Sequence, residues 1–342
     1  MTRLTASAPL RVDLAGGTLD LWPLYLLHDD ASTVNVALSL EARATYEEGG
    51  THWELRSGDR AACRRVAPQR VHGAASKALD GDPFALVLQV LRHVGWQVPG
   101  RLSTHVDGPP GGGLAGSSAL IVALLGLAHR GAGKRFNRSN AALLARDLEA
   151  RVLRLPTGLQ DYYPALHGGA LQIHYEAGQT RCERLEVDYE RLEDLAVLAY
   201  SGKPHSSAPS NWGLFRRRLE GDALAVTSFA AIAAAAQKAA RALRRHDWRR
   251  LGEAMNADWA ARKELDPGLA PLNLRRLERV GLAAGARAAK CCGAASGGTM
   301  LFLLRRPRDR RHVEQQLAKA GARILPFAVA RSGLRVRAGH AS

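Results

Sequence analysis

Apolar and polar positions along the first third of the chain follow patterns typical of strands with one helix between them. Apolar runs predict strands over Leu10–Leu14 and Thr33–Leu40, and the more polar, alternating segment Glu41–Leu55 extends this strand pattern. A helix is predicted over Asp82–Val94, and Arg101–Val106 predicts another strand. We therefore expect a sheet with helices packed against it.

The middle of the chain carries two helical patterns around a turn-rich segment. Asp107–Gly116 holds two prolines and five glycines, and the apolar segment Ser117–His129 that follows predicts a helix. An Asn/Ser capping signal opens a second predicted helix over Ser139–Leu153. Strands are predicted over Ala170–Tyr175 and Leu195–Tyr200.

Alanine- and arginine-rich helical patterns dominate the remainder. The predicted helices are Asn211–Glu220, Ala223–Arg245, His246–Leu265, Leu272–Gly285 and Asp309–Ala320. A glycine-rich turn, Gly293–Gly298, precedes a predicted strand over Thr299–Leu304, and Arg323–Ala328 predicts the last strand. Strands and helices mixed without steady βαβ alternation indicate an α+β fold. The composition changes near residues 190–205, which predicts two domains, 1–195 and 196–342.

Composition narrows the class of protein. Of 342 residues, 46% are hydrophobic and 23% charged, which is typical of folded globular chains and excludes disordered or collagen-like ones. The four cysteines show no CxxC spacing, so neither a zinc site nor a disulfide scaffold is expected. The first residues lack the apolar stretch of a signal peptide, and we expect a cytoplasmic protein.

The net charge of +16 comes mainly from arginine, with 41 arginines and seven lysines. Such a surplus predicts attraction to an anionic partner, whether nucleic acid, a membrane surface, a nucleotide or a phosphorylated substrate. The basic segments Arg241–Arg250 and Arg305–Arg311 have the spacing of exposed helix faces. Exposed helix surfaces therefore explain these segments better than a nucleic-acid site does, and we expect no nucleic-acid partner.

The strongest local signal for chemistry lies between a predicted strand and a predicted helix. Glycines there let backbone N–H groups approach an anion closely, and the helix N-terminus adds donors and a positive dipole end. Serine hydroxyls at that point could reach phosphate or Mg²⁺, although a tight turn capped by serine has the same pattern. The segment consists of Pro110, Gly111, Gly112, Gly113, Leu114, Ala115, Gly116, Ser117 and Ser118.

Two carboxylates follow this segment, Glu149 on a predicted helix and Asp161 in the loop after it. Together they could hold a metal ion and a reacting hydroxyl in one cleft, which phosphoryl transfer requires. Separately, each fits a structural role, a solvated helix residue for Glu149 and a helix cap for Asp161.

Four segments taken in order resemble the GHMP kinase superfamily. They are APLRVDLAGGTLD at residues 8–20, the glycine-rich loop, TGLQDYY at residues 157–163 and KCCGAASGG at residues 290–298. The first and third are most similar to the sugar kinases of the heptose 7-phosphate kinase and fucokinase-like branch. The resemblance implies a ribosomal protein S5 domain 2-like N-terminal domain and a ferredoxin-like C-terminal domain, with the active site in the cleft between them.

The resemblance also implies ATP and Mg²⁺ as cofactors and assigns roles to single residues. The loop would wrap the ATP phosphates, and Glu149 would hold Mg²⁺ with a loop serine. Alignment on Gly113-Leu114 makes this serine Ser117, which we favour, and alignment on the Ser-Ser-Ala end of the loop makes it Ser118. Asp161 would take the proton from the substrate hydroxyl, and Arg11 would stabilise the developing charge. The substrate-binding positions would be Asp20, Gly17, Thr18 and Gly297.

Two departures from the family pattern leave the acceptor open. Gly17-Thr18-Leu19 lacks the Glu-His pair of galactokinases, and Tyr162 replaces a glutamine common in sugar kinases. We expect a monomeric or homodimeric kinase without a membrane partner that phosphorylates a small molecule. Its acceptor is expected to be a sugar hydroxyl, with the anomeric position and a phosphorylated sugar among the candidates. The alternatives are an isoprenoid-pathway acid or an amino-acid alcohol as acceptor, or a non-catalytic ATP and sugar sensor.

Overall fold

Two long antiparallel strands, β1 (Thr2–Ala15) and β2 (Ser32–Glu48), form the centre of the first sheet. The structure, a computed structural model, describes residues 2–72, 82–204, 208–293 and 298–340. The remaining strands of this sheet are β3 (Trp53–Ser57), β4 (Ala62–Val66), β5 (Gly100–Val106), β6 (Ala170–Glu176), β7 (Gln179–Leu185) and β12 (Arg335–His340).

The sheet order is β12-β1-β2-β5-β3-β4. The length of β2 lets it serve two neighbours, because its last residues pair with β5 while its first residues pair with β6. Strand β7 pairs with β6.

Helices pack against this sheet. The apolar helix α3 (Gly116–Gly131) packs against β1 and β2, and its buried side chains form part of the core. Its neighbours are α2 (Ala85–Val94), α4 (Arg138–Leu153) and α5 (Tyr162–His167), with α1 (Pro68–His72) and α6 (Tyr189–Leu195) at the periphery. Because α3 starts directly after the glycine-rich segment, its packing fixes the direction of that segment.

The second sheet has four antiparallel strands in the order β11-β8-β10-β9. They are β8 (Ala196–Tyr200), β9 (Ala286–Cys291), β10 (Thr299–Leu304) and β11 (Arg323–Leu325). The first and third of these strands in chain order lie in the middle, which is the ferredoxin-like arrangement. The predicted α+β, two-part GHMP kinase fold is thereby confirmed.

Five helices connect these strands. They are α7 (Ala208–Leu219), α8 (Ala223–Arg244), α9 (Trp248–Leu265) and α10 (Leu272–Ala284) between β8 and β9, and α11 (Arg310–Lys319) before β11. Helix α8 is long and apolar enough to cross a membrane by length and composition. It packs against α9 and strands β1 and β2 with its buried face, as a core helix does. The absence of a membrane partner stays a prediction.

Several elements differ from the sequence prediction. Strand β2 runs through Leu40 without a break, whereas the sequence divided it into two segments. Strands β4 and β7 were not predicted because arginine in both, and glutamine and glutamate in β7, occupy many of their positions.

The last strand, β12, pairs with β1 of the first sheet and covers its edge. Part of the predicted range 196–342 therefore lies on the N-terminal sheet, and the domain limits remain a prediction.

Candidate active site

Strand β1 and the start of α5 bring Arg11 and Asp161 together, as the resemblance implies. Arg11 Nε lies 2.9 Å and Arg11 Nη2 2.5 Å from Asp161 Oδ1. The Arg11 side chain is buried, while the Asp161 side chain is 28% exposed. Asp161 holds the N-cap position of α5, so its carboxylate is both fixed by an arginine and open to the cleft. An acid so placed can accept a proton from a bound hydroxyl.

The glycine-rich loop takes a conformation that suits an anion. Helix α3 begins at Gly116, and the preceding residue, Ala115, is left-handed with φ of 59°. Gly113 has φ of +75°, and a Cβ there would lie 2.5 Å from the Cys292 carbonyl oxygen. Arg11 Nη1 donates to the Gly113 carbonyl at 2.7 Å, which ties the loop to the Asp161 pair. The first turn of α3 offers backbone N–H groups that the helix itself does not bond.

Glu149 on α4 receives three hydroxyl donors inside the same cleft. Ser117 Oγ donates to Oε1 at 2.5 Å, and Ser118 Oγ and Tyr162 Oη donate to Oε2 at 2.9 and 2.7 Å. Burial raises the pKa of Glu149 above its ordinary value, and the three hydroxyl donors oppose the increase. Ser118 Oγ also lies 3.5 Å from Asp161 Oδ2, so this serine stands between the two carboxylates.

The donor set fits a magnesium ion. Mg²⁺ takes oxygen ligands and is commonly held by one or two carboxylates together with substrate phosphates. Glu149 and a loop serine supply such oxygens beside Asp161. Among the described residues no group of three or more His, Cys, Asp or Glu side chains is arranged to hold a metal. A metal here would therefore depend on ligands from a bound nucleotide, as the predicted Mg²⁺ site does.

Asp20 lies at the other side of Asp161, next to the segment before α5. The Gln160 backbone N–H donates to Asp20 Oδ2 at 3.0 Å, and a Cβ at Gly158 would overlap the Asp20 carboxylate. Burial, with a smaller contribution from the Asp161 carboxylate, raises the pKa of Asp20 to about 6. Asp20 is thus a buried carboxyl group whose oxygens could accept hydrogen bonds from the hydroxyls of a bound molecule.

The other predicted substrate-binding positions differ in where the structure places them. Thr18 lines the cleft and has φ of 81°. Gly17 is buried against Asp13 and Arg262, where a Cβ would lie 3.0 Å from Asp13 Oδ2. This packing gives Gly17 a structural reason to lack a side chain. Gly297 lies outside the described residues.

One cleft of about 570 Å³ is lined by Arg11, Thr18, Asp20 and Asp161 together with the glycine-rich loop, Ser117, Ser118 and Glu149. Apolar side chains that include Leu86, Val106 and Leu153 also line it. Polar groups for a small acceptor, a loop for phosphates and apolar surface for a flat ring thus share one space.

The predicted basic segments are partly neutralised by acidic neighbours. Arg244 contacts Glu183, Arg249 contacts Glu253 and Arg310 contacts Glu314. Pairs of this kind are typical of solvated helix surfaces. They agree with the surface interpretation, and the absence of a nucleic-acid partner stays a prediction.

Sequence reasoning missed two features of the site. It noted Tyr162 as a departure from the family pattern without finding its bond to Glu149. It also assigned no role to Asp13 or Lys290, which form a buried ion pair behind the loop. The available signals were the spacing of Arg11 and Asp13 by two residues in a strand and a lysine inside the apolar strand β9.

Comparison with known proteins agrees with this geometry. Residues 84–169 match the model of the GHMP kinases N terminal domain, and residues 239–323 match that of the GHMP kinases C terminal domain. The chain is 24% identical over 344 residues to D-glycero-alpha-D-manno-heptose 7-phosphate kinase of Campylobacter jejuni, covering 98% of this chain and 99% of that one. It is 28% identical over 254 residues to glucuronokinase 1 of Arabidopsis thaliana, covering 68% and 65%.

Its fold is also that of a solved sugar phosphate kinase. The crystal structure of a D-glycero-D-manno-heptose 1-phosphate kinase from Bacteriodes thetaiotaomicron superposes with a TM-score of 0.78 at 21% identity, covering 98% of both chains.

Proposed function

Because this chain belongs to the GHMP kinases, phosphotransferases that act on hydroxyl groups, we propose that it transfers the γ-phosphate of ATP to a hydroxyl of a sugar. The observation that carries the proposal is the Arg11–Asp161 pair, which lies in the same cleft as the two serines and Glu149. The sugar class is supported by the heptose phosphate kinase and glucuronokinase relatives.

In the proposed reaction Asp161 accepts the proton of the acceptor hydroxyl as its oxygen attacks the γ-phosphorus and ADP leaves. Arg11 stays paired with Asp161 and reaches the loop through the Gly113 carbonyl, so it can offset charge that develops between them. The loop N–H groups and the α3 N-terminus bind the phosphates. Mg²⁺ held by Glu149 with Ser117 or Ser118 would supply further charge neutralisation.

Asp20 supports a polyol acceptor, since a buried carboxylate beside Asp161 can accept hydrogen bonds from sugar hydroxyls. The proposal includes an anomeric hydroxyl as the reacting group and a phosphorylated sugar as the acceptor, and each is tested separately. The cytoplasmic location and the monomeric or homodimeric state stand as predictions.

Two other functions remain as alternatives. An isoprenoid-pathway acid or an amino-acid alcohol would be phosphorylated by the same catalytic groups, with Asp20 unused. A non-catalytic sensor would bind ATP and sugar without turnover, although the presence of Asp161 paired with Arg11 and of Glu149 favours catalysis.

The test is ADP release with ATP, Mg²⁺ and a panel of free and phosphorylated hexoses and heptoses, glucuronate, mevalonate and homoserine. We expect turnover on a sugar or sugar phosphate. Asp161→Asn should lower kcat by about 10²–10⁴, the usual contribution of a general base. Asp147→Asn, at an exposed aspartate that pairs with Arg146, is the matched control and should retain activity.

Three results would count against parts of the proposal. Wild-type turnover by Asp161→Asn would refute the assigned base. Turnover confined to mevalonate or homoserine would refute the sugar class. Binding of ATP without turnover on any acceptor would favour the sensor.

A further inference from the structure

Four charged side chains form a buried cluster behind the glycine-rich loop. Lys290 Nζ on β9 lies 2.8 Å from Asp13 Oδ2 on β1 and 2.9 Å from Asp258 Oδ2 on α9, the latter without hydrogen-bond geometry. Arg262 Nη1, also on α9, lies 3.6 Å from Asp13 Oδ2. Each side chain is at most 2% exposed. Two positive and two negative groups thus join the first sheet to the second in a space without solvent.

The central pair of this cluster is ionised. Burial opposes the charge on Lys290, yet Asp13 and Asp258 raise its pKa above the ordinary value. Burial likewise opposes the charge on Asp13, and Lys290, followed by Arg11 and Arg262, holds its pKa well below the usual range. A buried ion pair of this kind contributes little net stability compared with apolar packing, so its presence behind the loop calls for another reason.

The cluster binds both backbone polar groups of Gly293, the N–H and the carbonyl. Asp13 Oδ1 accepts from the Gly293 N–H at 2.7 Å, and Arg262 Nη2 donates to the Gly293 carbonyl at 2.6 Å. Asp258 Oδ1 accepts from the Gly16 N–H at 2.8 Å, which fixes the turn after β1 in the same way. Gly293 is therefore fixed from one side by Asp13 and from the other by Arg262.

Gly293 in turn lies against the phosphate-binding loop. A Cβ at Gly293 would lie 2.8 Å from the Gly113 carbonyl oxygen and 3.1 Å from Gly113 Cα. That same carbonyl oxygen accepts from Arg11 Nη1, and Arg11 binds Asp161. A continuous set of contacts thus runs from the cluster through Gly293 and Gly113 to the catalytic pair.

We infer that Asp13, Asp258, Arg262 and Lys290 are positioning residues, which hold Gly293 against Gly113 and so fix the phosphate loop and Arg11 for transfer. The inference rests on the proposed kinase function for its consequence, because a loop fixed in this way matters through nucleotide binding. The physical coupling itself does not depend on turnover. A second hydrogen bond to the loop, from the Thr299 N–H to the Gly112 carbonyl at 2.9 Å, involves none of the four charged residues.

Arg262→Met tests this coupling directly, since it removes the bond to Gly293 and one charge of the cluster. The matched control is Lys263→Met, at the next residue of α9, where the lysine pairs with Glu278 at 2.7 Å instead. Hydrogen–deuterium exchange of the ligand-free proteins and titration with ADP and Mg²⁺ are measured well below the melting temperature. In Arg262→Met we expect exchange of residues 111–118 to rise and ADP affinity to fall, each about tenfold, with neither change in the control.

Gly293→Ala perturbs the same contact from the loop side and leaves the four charges in place. Its added methyl group meets Gly113, so we expect the same local rise in exchange and the same loss of ADP affinity. This variant keeps the test decisive if Arg262→Met does not fold.

Two results would overturn the inference. One is a folded variant with unchanged exchange at residues 111–118. The other is a uniform rise in exchange across both sheets with unchanged ADP affinity, which would show a role in global stability only. Failure of the kinase proposal is recognised separately, because the wild-type chain would then phosphorylate no acceptor while the loop still responded to Arg262→Met.

Discussion

Tyr162 offers a sharp test of the site because its contact with Glu149 depends on a single hydroxyl group. Tyr162 Oη donates to Glu149 Oε2 at 2.7 Å, and Glu149 is 2% exposed. Tyr162→Phe removes this donor and keeps the buried ring. Ser117 and Ser118 still donate to the carboxylate, so the variant should fold and should retain the shape of the cleft.

The expected size of the effect follows from the burial of this bond. A hydrogen bond to a charged group contributes about 1.5–3 kcal/mol, and solvent does not screen this one. At the entropy of unfolding of a chain of this size, that loss lowers Tm by roughly 2–4 °C. If about half of this free energy is lost from Mg²⁺ binding by the ionised Glu149, the half-saturating Mg²⁺ concentration rises by about 3–10-fold.

The pH dependence has a definite sign. Burial already raises the pKa of Glu149, and Tyr162 is one of the donors that oppose the increase. Its removal raises this pKa further, so the carboxylate is protonated at a higher pH. The acid limb of Mg²⁺-dependent activity should therefore move to higher pH in Tyr162→Phe.

The assay is ADP release titrated with Mg²⁺ at fixed ATP and several pH values, together with thermal unfolding. Tyr163→Phe is the matched control, because it removes the same group from the neighbouring residue, whose ring stacks on His167. It should leave the Mg²⁺ titration unchanged. A Tyr162→Phe protein with the wild-type Mg²⁺ requirement and Tm would refute the assignment of Glu149 as a metal ligand held by this tyrosine.

Three further predictions concern the acceptor end and the arginine. Because burial raises the pKa of Asp20 to about 6, its carboxylate gains a proton as the pH falls from 7 to 5, so the acceptor KM should rise over that range in the wild type and stay flat in Asp20→Asn. Gly158→Ala displaces the Asp20 carboxylate, and isothermal titration should show weaker acceptor binding with unchanged ADP binding. Arg11→Lys keeps the charge but cannot serve both Asp161 and the Gly113 carbonyl, and steady-state kinetics should show kcat lower by about 10²-fold.

The residues of the candidate site could be predicted from the sequence to different degrees. Arg11, Glu149 and Asp161 stand in short segments whose order resembles one family, and the structure places all three in one cleft. The sequence favoured Ser117 over Ser118 as the metal ligand, and in the structure both serines donate to Glu149. The sequence showed Tyr162 only as a departure from the family pattern, because its role depends on contact with Glu149, thirteen residues earlier on another helix.

The buried cluster shows why local sequence patterns do not predict the whole site. Asp258 and Arg262 occur in a helix rich in charged residues, where the default expectation is exposure to solvent. Their burial depends on Lys290 and Asp13, and the latter two are separated by 277 positions in the chain. No local window contains that information, since an ion pair leaves no periodic signal.

The sequence by itself determined the α+β class, the glycine-rich loop before an apolar helix and the identity of the candidate catalytic groups. These features are local, because backbone conformation, helix start signals and short motifs act within a few residues. Only the tertiary structure decided that β12 returns to the edge of β1 and that Gly293 lies against Gly113. Strand pairing and burial of charge arise from contacts between distant segments, and those contacts turn a set of motifs into one cleft.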